Sequence, residues 1–429
     1  MCGIVGYWRL RRDTGTDELY GTIAAMSKCL AHRGPDSDGH WIEAELGLAL
    51  GHRRLSIIDI SAAGHQPMIS PDGRYVIILN GEIYNFESLR RELEAKGGAP
   101  AWRGHSDTEV LLAMLAYYGA AATLPKLNGM FAFAYADLTL RKLLLARDRF
   151  GEKPLYIYRD DQAIAFASEL KPFKTLPHFD GTLDRAALSE FMTYAYVPAP
   201  RSIYAQAQKL LPAHYAEINL DAPDQPIRPI PYWSALETAR TALANPLAEE
   251  TAADRLDELL RQSVQLRMMS DVPLGSFLSG GVDSSIITAL MQAQSARSVK
   301  TFSIGFEEQN FNEAHHAREV AAHLGTDHTE HIVTPAEAME VIPQLPQLYD
   351  EPFADSSQIP TYLLSKIARQ QVTVSLSGDG GDEIFGGYNR YFAGAKLRRM
   401  LALLPCSLRA ATASMITALP PAQIDQFIK

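Results

Sequence analysis

The chain has 429 residues, 47% hydrophobic and 21% charged, a mix that excludes a disordered tail, a collagen-like chain and a coiled coil. Asp plus Glu outnumber Lys plus Arg by 50 to 40, and the resulting net charge of −10 argues against non-specific binding of nucleic acid or anionic membrane. The three cysteines, Cys2, Cys29 and Cys406, are too scattered for a disulfide framework or a cysteine zinc site, no stretch is long enough to span a bilayer, and without a secretory signal the expected location is the cytoplasm.

Residues 1–180 read as short apolar strands punctuated by glycine. Strands are expected at 4–8, 47–50, 75–79, 131–136, 142–146 and 163–167. Helices are expected at 19–30, 86–95 and 108–118, where apolar residues recur every three or four positions. Strands in runs favour an α+β layered domain with antiparallel sheets, placed at 1–196. Residues 197–248 hold Pro198, Pro200, Pro212, Pro223, Pro226, Pro229 and Pro231 and then an Ala-rich stretch, and read as a linker. From 249 to 429 the pattern alternates. A helix at 252–268 precedes strand 276–278, helix 284–294, strand 300–306, helix 313–324, strand 329–333, a helix from Pro335 and strand 372–376. This alternation predicts βαβ units in a doubly wound parallel α/β sheet, with ligands at the C-terminal ends of its strands.

Three motifs carry chemistry. If Met1 is removed, Cys2 becomes an N-terminal residue whose α-amine, with a reference pKa of about 7.7–8.0, can act as general base for its own thiol. At position 2 alone, a small buried cysteine at a strand start is the better account of the residue. Its company argues otherwise. The amide of Asn80 and the N–H of Gly81 suit an oxyanion hole. Glu82 and Asp107 suit an ammonium, and Arg54 suits a carboxylate. Together they form a set able to hold an α-amino acid by its zwitterionic end. The second motif, SGGVDSS at 279–285, follows a strand and opens a helix, so its glycines and free N–H groups suit a polyphosphate, although Ser and Asp also make ordinary helix caps. It lacks the Gly-Lys-Ser/Thr ending of a Walker loop. The third, SGDGGDE at 377–383, places carboxylates at a strand end, where Asp382 and Asp283 would hold Mg²⁺ together with phosphates; a solvated acidic turn is the plain alternative. His315, His316, His323, His328 and His331 read as surface or core residues rather than metal ligands. The run at 130–135 reads as a buried strand.

At this point a family resemblance is legible. MCGIVG at 1–6, HRGPD at 32–36, RLSIID at 54–59, NGEIYN at 80–85, SDTEV at 106–110, GMFAFA at 129–134, RDRFGEKPLY at 147–156 and ASELK at 167–171 resemble the glutaminase domain of class II glutamine amidotransferases. SGGVDSS and SGDGGDEIFGGYNRY resemble the ATP-pyrophosphatase domain of glutamine-dependent asparagine synthetases. The resemblance runs through nearly the whole chain. It implies an N-terminal-nucleophile α/β/β/α sandwich at 1–196 and an adenine-nucleotide α-hydrolase-like domain at 249–429. By matching position, Cys2 is the nucleophile with Asn80 and Gly81 as oxyanion hole. Arg54, Leu55, Ser56, Ile57, Ile58, Asn80, Gly81, Glu82 and Asp107 bind glutamine. Leu278, Ser279, Gly280, Gly281, Asp283, Ser284, Ile304, Ser377 and Gly378 bind ATP, and Asp283 and Asp382 bind Mg²⁺. Asp379 stands where asparagine synthetases often carry a glutamate tied to forming the acyl-adenylate. The implied partners are glutamine, ATP and a carboxylate acceptor, with aspartate favoured over a sugar-acid or peptide carboxylate. A homodimer is compatible with the resemblance, and a bare glutaminase is the remaining alternative. Family members usually continue well past this point, so a synthetase domain incomplete at its C-terminus is expected.

Overall fold

The computed structural model describes residues 1–11, 15–307 and 313–418. The first domain contains strands β1 (Gly3–Arg9), β2 (Ser37–Glu43), β3 (Leu48–Arg54), β4 (Met68–Ile69), β5 (Tyr75–Ile83), β6 (Gly129–Asp137), β7 (Lys142–Arg147), β8 (Tyr156–Arg159), β9 (Ala163–Ala167), β10 (Ala207–Lys209), β11 (His214–Asn219) and β12 (Ile230–Pro231). They pair antiparallel in two six-stranded sheets, ordered β10-β8-β9-β1-β3-β2 and β12-β11-β7-β6-β5-β4. Helix α1 (Thr16–Lys28) covers the first sheet, and α2 (Phe86–Lys96) and α3 (Asp107–Tyr118) cover the second.

Side-chain alternation explains the four layers. Along β5, Val76 and Ile78 point between the sheets, where they meet Ile4, Leu50, Ala134, Leu145 and Phe166. Ile77 and Leu79 point the other way, onto Leu89, Leu93, Leu111 and Met114 of α2 and α3. Along β1, Ile4 faces the sheet interface and Val5 faces Leu19, Ile23 and Met26 of α1. Because each sheet is buried on both faces, its inner strands are continuous apolar runs, and the two-residue period disappears from the sequence. α3 is likewise buried nearly all round.

The linker expected at 197–248 needs correction. β10 pairs with β8, and β11 with β7 and β12, so this stretch completes an edge of each sheet. Edge strands two to six residues long among prolines carry little periodicity, which is why the segment reads as a connection. After the short α4 (Ala120–Thr123) and α5 (Arg185–Tyr194), helix α6 (Ala235–Ala244) buries no residue, and the link proper lies there.

In the second domain α7 (Glu249–Arg267) leads to β13 (Leu274–Phe277), α8 (Val282–Gln294), β14 (Lys300–Phe306), α9 (Ala314–Leu324) and β15 (Asp327–Val333). After α10 (Pro335–Val341), α11 (Leu345–Leu348) and α12 (Gln358–Ala368) comes β16 (Val374–Leu376). The four strands are all parallel, in the order β15-β14-β13-β16. Leu274 packs with Val264 and Leu290 on one face, while Phe277 packs with Leu364 and Ala368 on the other, so helices cover both sides as a doubly wound sheet requires.

Ile78 is fully buried between the two sheets of the first domain. Ile78→Ala should destabilise that domain by about 2–5 kcal/mol in chemical denaturation, through lost burial and the cavity left in a layer clamped from both sides.

Candidate active site

Cys2 immediately precedes β1, whose first residue pairs with Arg53 at the end of β3. This register sets the Cys2 Sγ against Leu55, accepting its N–H at 3.4 Å and reaching its carbonyl at 3.5 Å. The Cys2 carbonyl accepts from Arg33 Nε at 2.8 Å. Burial pushes the thiol pKa up. Burial also lowers the amino group at this end to about 6, with Arg33 and Lys153 lowering it further.

Cys2 opens into a pocket lined by Arg54, Leu55, Ile57, Ile58, Asn80, Gly81, Glu82 and Asp107, and also by Gly64, Gln66, Thr108 and Lys153. Eight of the nine predicted glutamine residues therefore converge beside the thiol. Ser56 does not line the pocket; its N–H donates to Asp36 Oδ2 at 2.8 Å.

Asn80, Gly81 and Glu82 lie inside β5, which runs four residues beyond the expected end at 79. The short β4 pairs only with Ile77 and Val76, so the rest of that edge of β5 is served by side chains. Gln66 Oε1 accepts the Leu79 N–H at 2.6 Å, and Asp107 Oδ2 accepts the Ile83 N–H at 2.9 Å. N–H groups two residues apart point to the same edge, so Gly81 presents its own N–H between them. The Leu79 carbonyl is bound by His52 Nε2 at 3.0 Å. A Cβ on Gly81 would stand 2.0 Å from the Met130 carbonyl oxygen, so only glycine fits. Asn80 is completely buried, and neither polar atom of its side chain has a partner; Glu82 Oε1 is orphaned in the same way. Such groups are rare in native proteins and mark a place prepared for something else.

Charge follows the same logic. Arg54 hydrogen-bonds the carbonyls of Ser61, at 3.0 Å, and Asp59, which fixes its guanidinium beside the pocket. A Cβ on Gly64 would lie 2.1 Å from that guanidinium. Burial, with Asp107 adding to it, raises the Glu82 pKa to about 7. Burial raises Asp107 to about 6 despite N–H donations from Ile83 and Thr108. Two buried carboxyls held partly protonated form an acceptor for a cation. Gly64, Gln66, Thr108 and Lys153 escaped the sequence reading, although Thr108 and Lys153 sit inside recognised motifs.

The second domain brings its two motif loops together. The order β14-β13-β16 reverses direction at β13, and such a switch point opens a crevice at the strand ends. One lip is 278–281, between β13 and α8. Leu278 is buried and its N–H donates to the Phe302 carbonyl. Ser279 and Ser284 hydroxyls meet at 2.9 Å, and the N–H of Gly281 donates to Ser279 Oγ at 3.2 Å. Gly280 has φ +81°. α8 starts at Val282 with no side-chain cap, and Asp283 lies in its first turn. Ile304 lies on the neighbouring β14. The other lip carries Ser377, Gly378 and Asp379, with Ser377 Oγ donating to Asp379 Oδ2 at 2.9 Å. A Cβ on Gly378 would touch the Ser284 nitrogen at 2.6 Å, and one on Gly381 would touch Asp283 Oδ2 at 2.4 Å, which measures how tightly the lips press together. Asp382 follows on α13 (Gly381–Phe385). Among the described residues no three His, Cys, Asp or Glu side chains form a metal cluster. Two aspartates fit a cation held jointly with phosphates, the usual mode of Mg²⁺, rather than a protein cage. Of the histidines, His328 bonds Thr301 and Ser303, and His331 bonds Glu337. Among the described residues no helix is long and apolar enough to cross a membrane.

Comparison with known proteins matches residues 1–233 to the family described as glutamine amidotransferase domain, and 255–426 to asparagine synthase. Asparagine synthetase [glutamine-hydrolyzing] 1 of Bacillus subtilis (strain 168) is 41% identical over 395 residues, 91% of this chain and 59% of its own length. A putative asparagine synthetase [glutamine-hydrolyzing] of Mycobacterium tuberculosis is 36% identical over 98% of this chain and 65% of its own length. Putative asparagine synthetase [glutamine-hydrolyzing] 2 of Methanocaldococcus jannaschii is 35% identical over 92% of this chain and 77% of its own length. The chain thus spans roughly three-fifths to three-quarters of the relatives it matches.

The Glu82 carboxyl yields a stability prediction. Its folded pKa stands above the ordinary 4.5, so below that value the group does not weaken the fold, and stability falls as pH rises through about 7. Glu82→Gln should therefore stabilise the protein by about 1–3 kcal/mol near pH 8 and by less than about 1 kcal/mol near pH 5, read from denaturant midpoints.

Proposed function

We propose that the chain, which belongs to the family of glutamine-hydrolysing asparagine synthetases, releases ammonia from glutamine at Cys2 and delivers it to a carboxylate activated by ATP in the second domain. The observation that carries this reading is the buried, unpartnered Asn80 amide beside the Cys2 thiol, in a pocket with a guanidinium at Arg54 and carboxyls at Glu82 and Asp107. Arg54 takes the α-carboxylate of glutamine, and Glu82 and Asp107 take its ammonium, leaving the side-chain amide at Cys2. Loss of Met1 would make the Cys2 amine the chain terminus in the same buried end of the chain, where burial and then Arg33 and Lys153 lower the Met1 amine, and a neutral amine there can accept the thiol proton. Sulfur attacks the amide carbon, and the oxyanion is met by the Asn80 Nδ2 and the Gly81 N–H. Collapse gives a γ-glutamyl thioester and ammonia, and water then releases glutamate.

In the second domain Leu278 and Ile304 border the adenine, and Ser279, Gly280, Gly281 and Ser284, with Ser377 and Gly378, hold the phosphates. Asp283 and Asp382 would hold Mg²⁺, which would supply positive charge against the phosphates. The acceptor carboxylate attacks the α-phosphorus, aided by Asp379, and ammonia then displaces AMP from the acyl-adenylate. Adenylation is needed because a carboxylate is a poor electrophile. An enclosed path between the sites is needed because ammonia near pH 7 is mostly ammonium. The acceptor is aspartate, on the strength of the family. The protein acts in the cytoplasm.

Cys2→Ala should abolish glutamine hydrolysis, measured as glutamate formed; undiminished hydrolysis would refute the nucleophile. Pyrophosphate release from Mg·ATP should require aspartate among a panel of carboxylic acids, and Asp283→Asn should suppress it about tenfold or more, as expected for a lost metal ligand. Release driven by a sugar acid instead would reassign the acceptor.

A further inference from the structure

The wall of the glutamine pocket is built by the first domain but braced from behind by the second. Asp271 lies in the second domain, three residues before β13, and it reaches back across the domain boundary with both main chain and side chain. Its N–H donates to the Ile57 carbonyl at 2.9 Å. Its Oδ2 accepts the Asp59 N–H at 2.8 Å and contacts His105 Nε2 at 2.9 Å. Ile57 lines the pocket, and the Asp59 carbonyl holds the Arg54 guanidinium. His105 stands two residues before Asp107 and is also tied to this loop, donating its N–H to Asp59 Oδ2 at 2.9 Å. Asp271 therefore grips both walls, one carrying the carboxylate anchor and one the ammonium anchor. Asp59 itself is buried at φ +51°, an uncommon conformation for a non-glycine residue that neighbouring contacts must hold in place. Nearby, the Arg267 guanidinium lies 4.5 Å from the centre of the Tyr84 ring, a second grip of the same domain on the end of β5.

We propose that Asp271 is a positioning residue for the glutamine pocket, supplied by the second domain, so that residues 54–59 and 105–107 hold their ligand geometry only when that domain is docked. This rests on the reading of the pocket as a glutamine site. It makes the strand that bears the nucleotide loop and the loop that follows Arg54 parts of one strut, and any coupling of binding through it acts equally in both directions. Asp271 touches no substrate, so its removal should loosen binding rather than slow the attack by Cys2.

The test uses the whole chain. Asp271→Ala should raise the KM for glutamine hydrolysis about tenfold, the worth of one charge-assisted hydrogen bond, with kcat per titrated Cys2 within about twofold of wild type. Asp271→Asn keeps an acceptor oxygen for the Asp59 N–H and should recover most of the loss. Glutamine binding measured calorimetrically on Cys2→Ala, with and without Asp271→Ala, should show the same weakening in Kd. An unchanged KM and Kd in the alanine variant would overturn the proposal, as would a fall in kcat with KM unaltered. A wild-type chain that neither hydrolyses nor binds glutamine would instead overturn the reading of the pocket itself.

Discussion

The constraint on which the first domain turns is the burial of the Asn80 side chain without hydrogen bonds. An orphaned buried polar group costs about 1–3 kcal/mol, and the amide would rotate or draw in water unless the strand beneath it were rigid. That rigidity comes from the sandwich. β5 is paired to β6 along nine residues, packed on Ile4 and Leu50 through one face and on α2 and α3 through the other. Where β4 stops, Gln66, His52 and Asp107 take over the exposed backbone groups of β5. The same sheet-on-sheet contact delivers Cys2, because β1 starts where β3 ends. Cys2 and the Asn80–Gly81 pair thus belong to different sheets and meet only through the packing between them.

The electrostatics of the pocket point the same way. Glu82, Asp107 and Lys153 are all buried, and burial shifts each toward its neutral form. A domain selected only for stability would fill this space with apolar side chains. Charges of both signs instead line the pocket, as the proposed capture of a zwitterion requires. The large apolar clusters on both sides of each sheet offset the strain.

Much of this was legible from the residues, for identifiable reasons. Inner strands such as β1, β6 and β9 announce themselves as apolar runs, and β14 occurs where 300–306 was read. β2, with the sequence SDGHWIE, stays hidden because only Gly39 along it is fully buried, and its pairing with β3 comes from the neighbour rather than from propensity. β10, β11 and β12 hide among prolines. In the site, residues whose chemistry is unambiguous, such as Cys2, Arg54 and Asp107, could be named from type and company. Gln66 and His52 could not, because their task is to bind the backbone of a strand distant in sequence. Ser56 was carried over with its neighbours, yet its amide is spent on Asp36. Asp271 carries no motif at all; only the docking of two domains gives it a role.

The two sites also differ in how they are made. The pocket beside Cys2 is assembled from two sheets, a helix N-terminus and a loop. The site of the second domain is a crevice between two loops at a switch point, with Gly280 and Gly380 in left-handed conformations, an exposed Ser279 and half-buried Ser284 and Ser377. Their contact is tight at defined points: Asp271 at the glutamine loop, and Asp350 and Glu351 on Lys171, Lys209 and the Ile203 N–H. Lys171 in turn pairs with Glu169, which holds Arg33, whose guanidinium binds the Cys2 carbonyl. Ion pairs thus lead from the second domain to the backbone of the nucleophile itself. The two domains are therefore joined through charged side chains, at the loop behind the Cys2 pocket and at the Cys2 carbonyl.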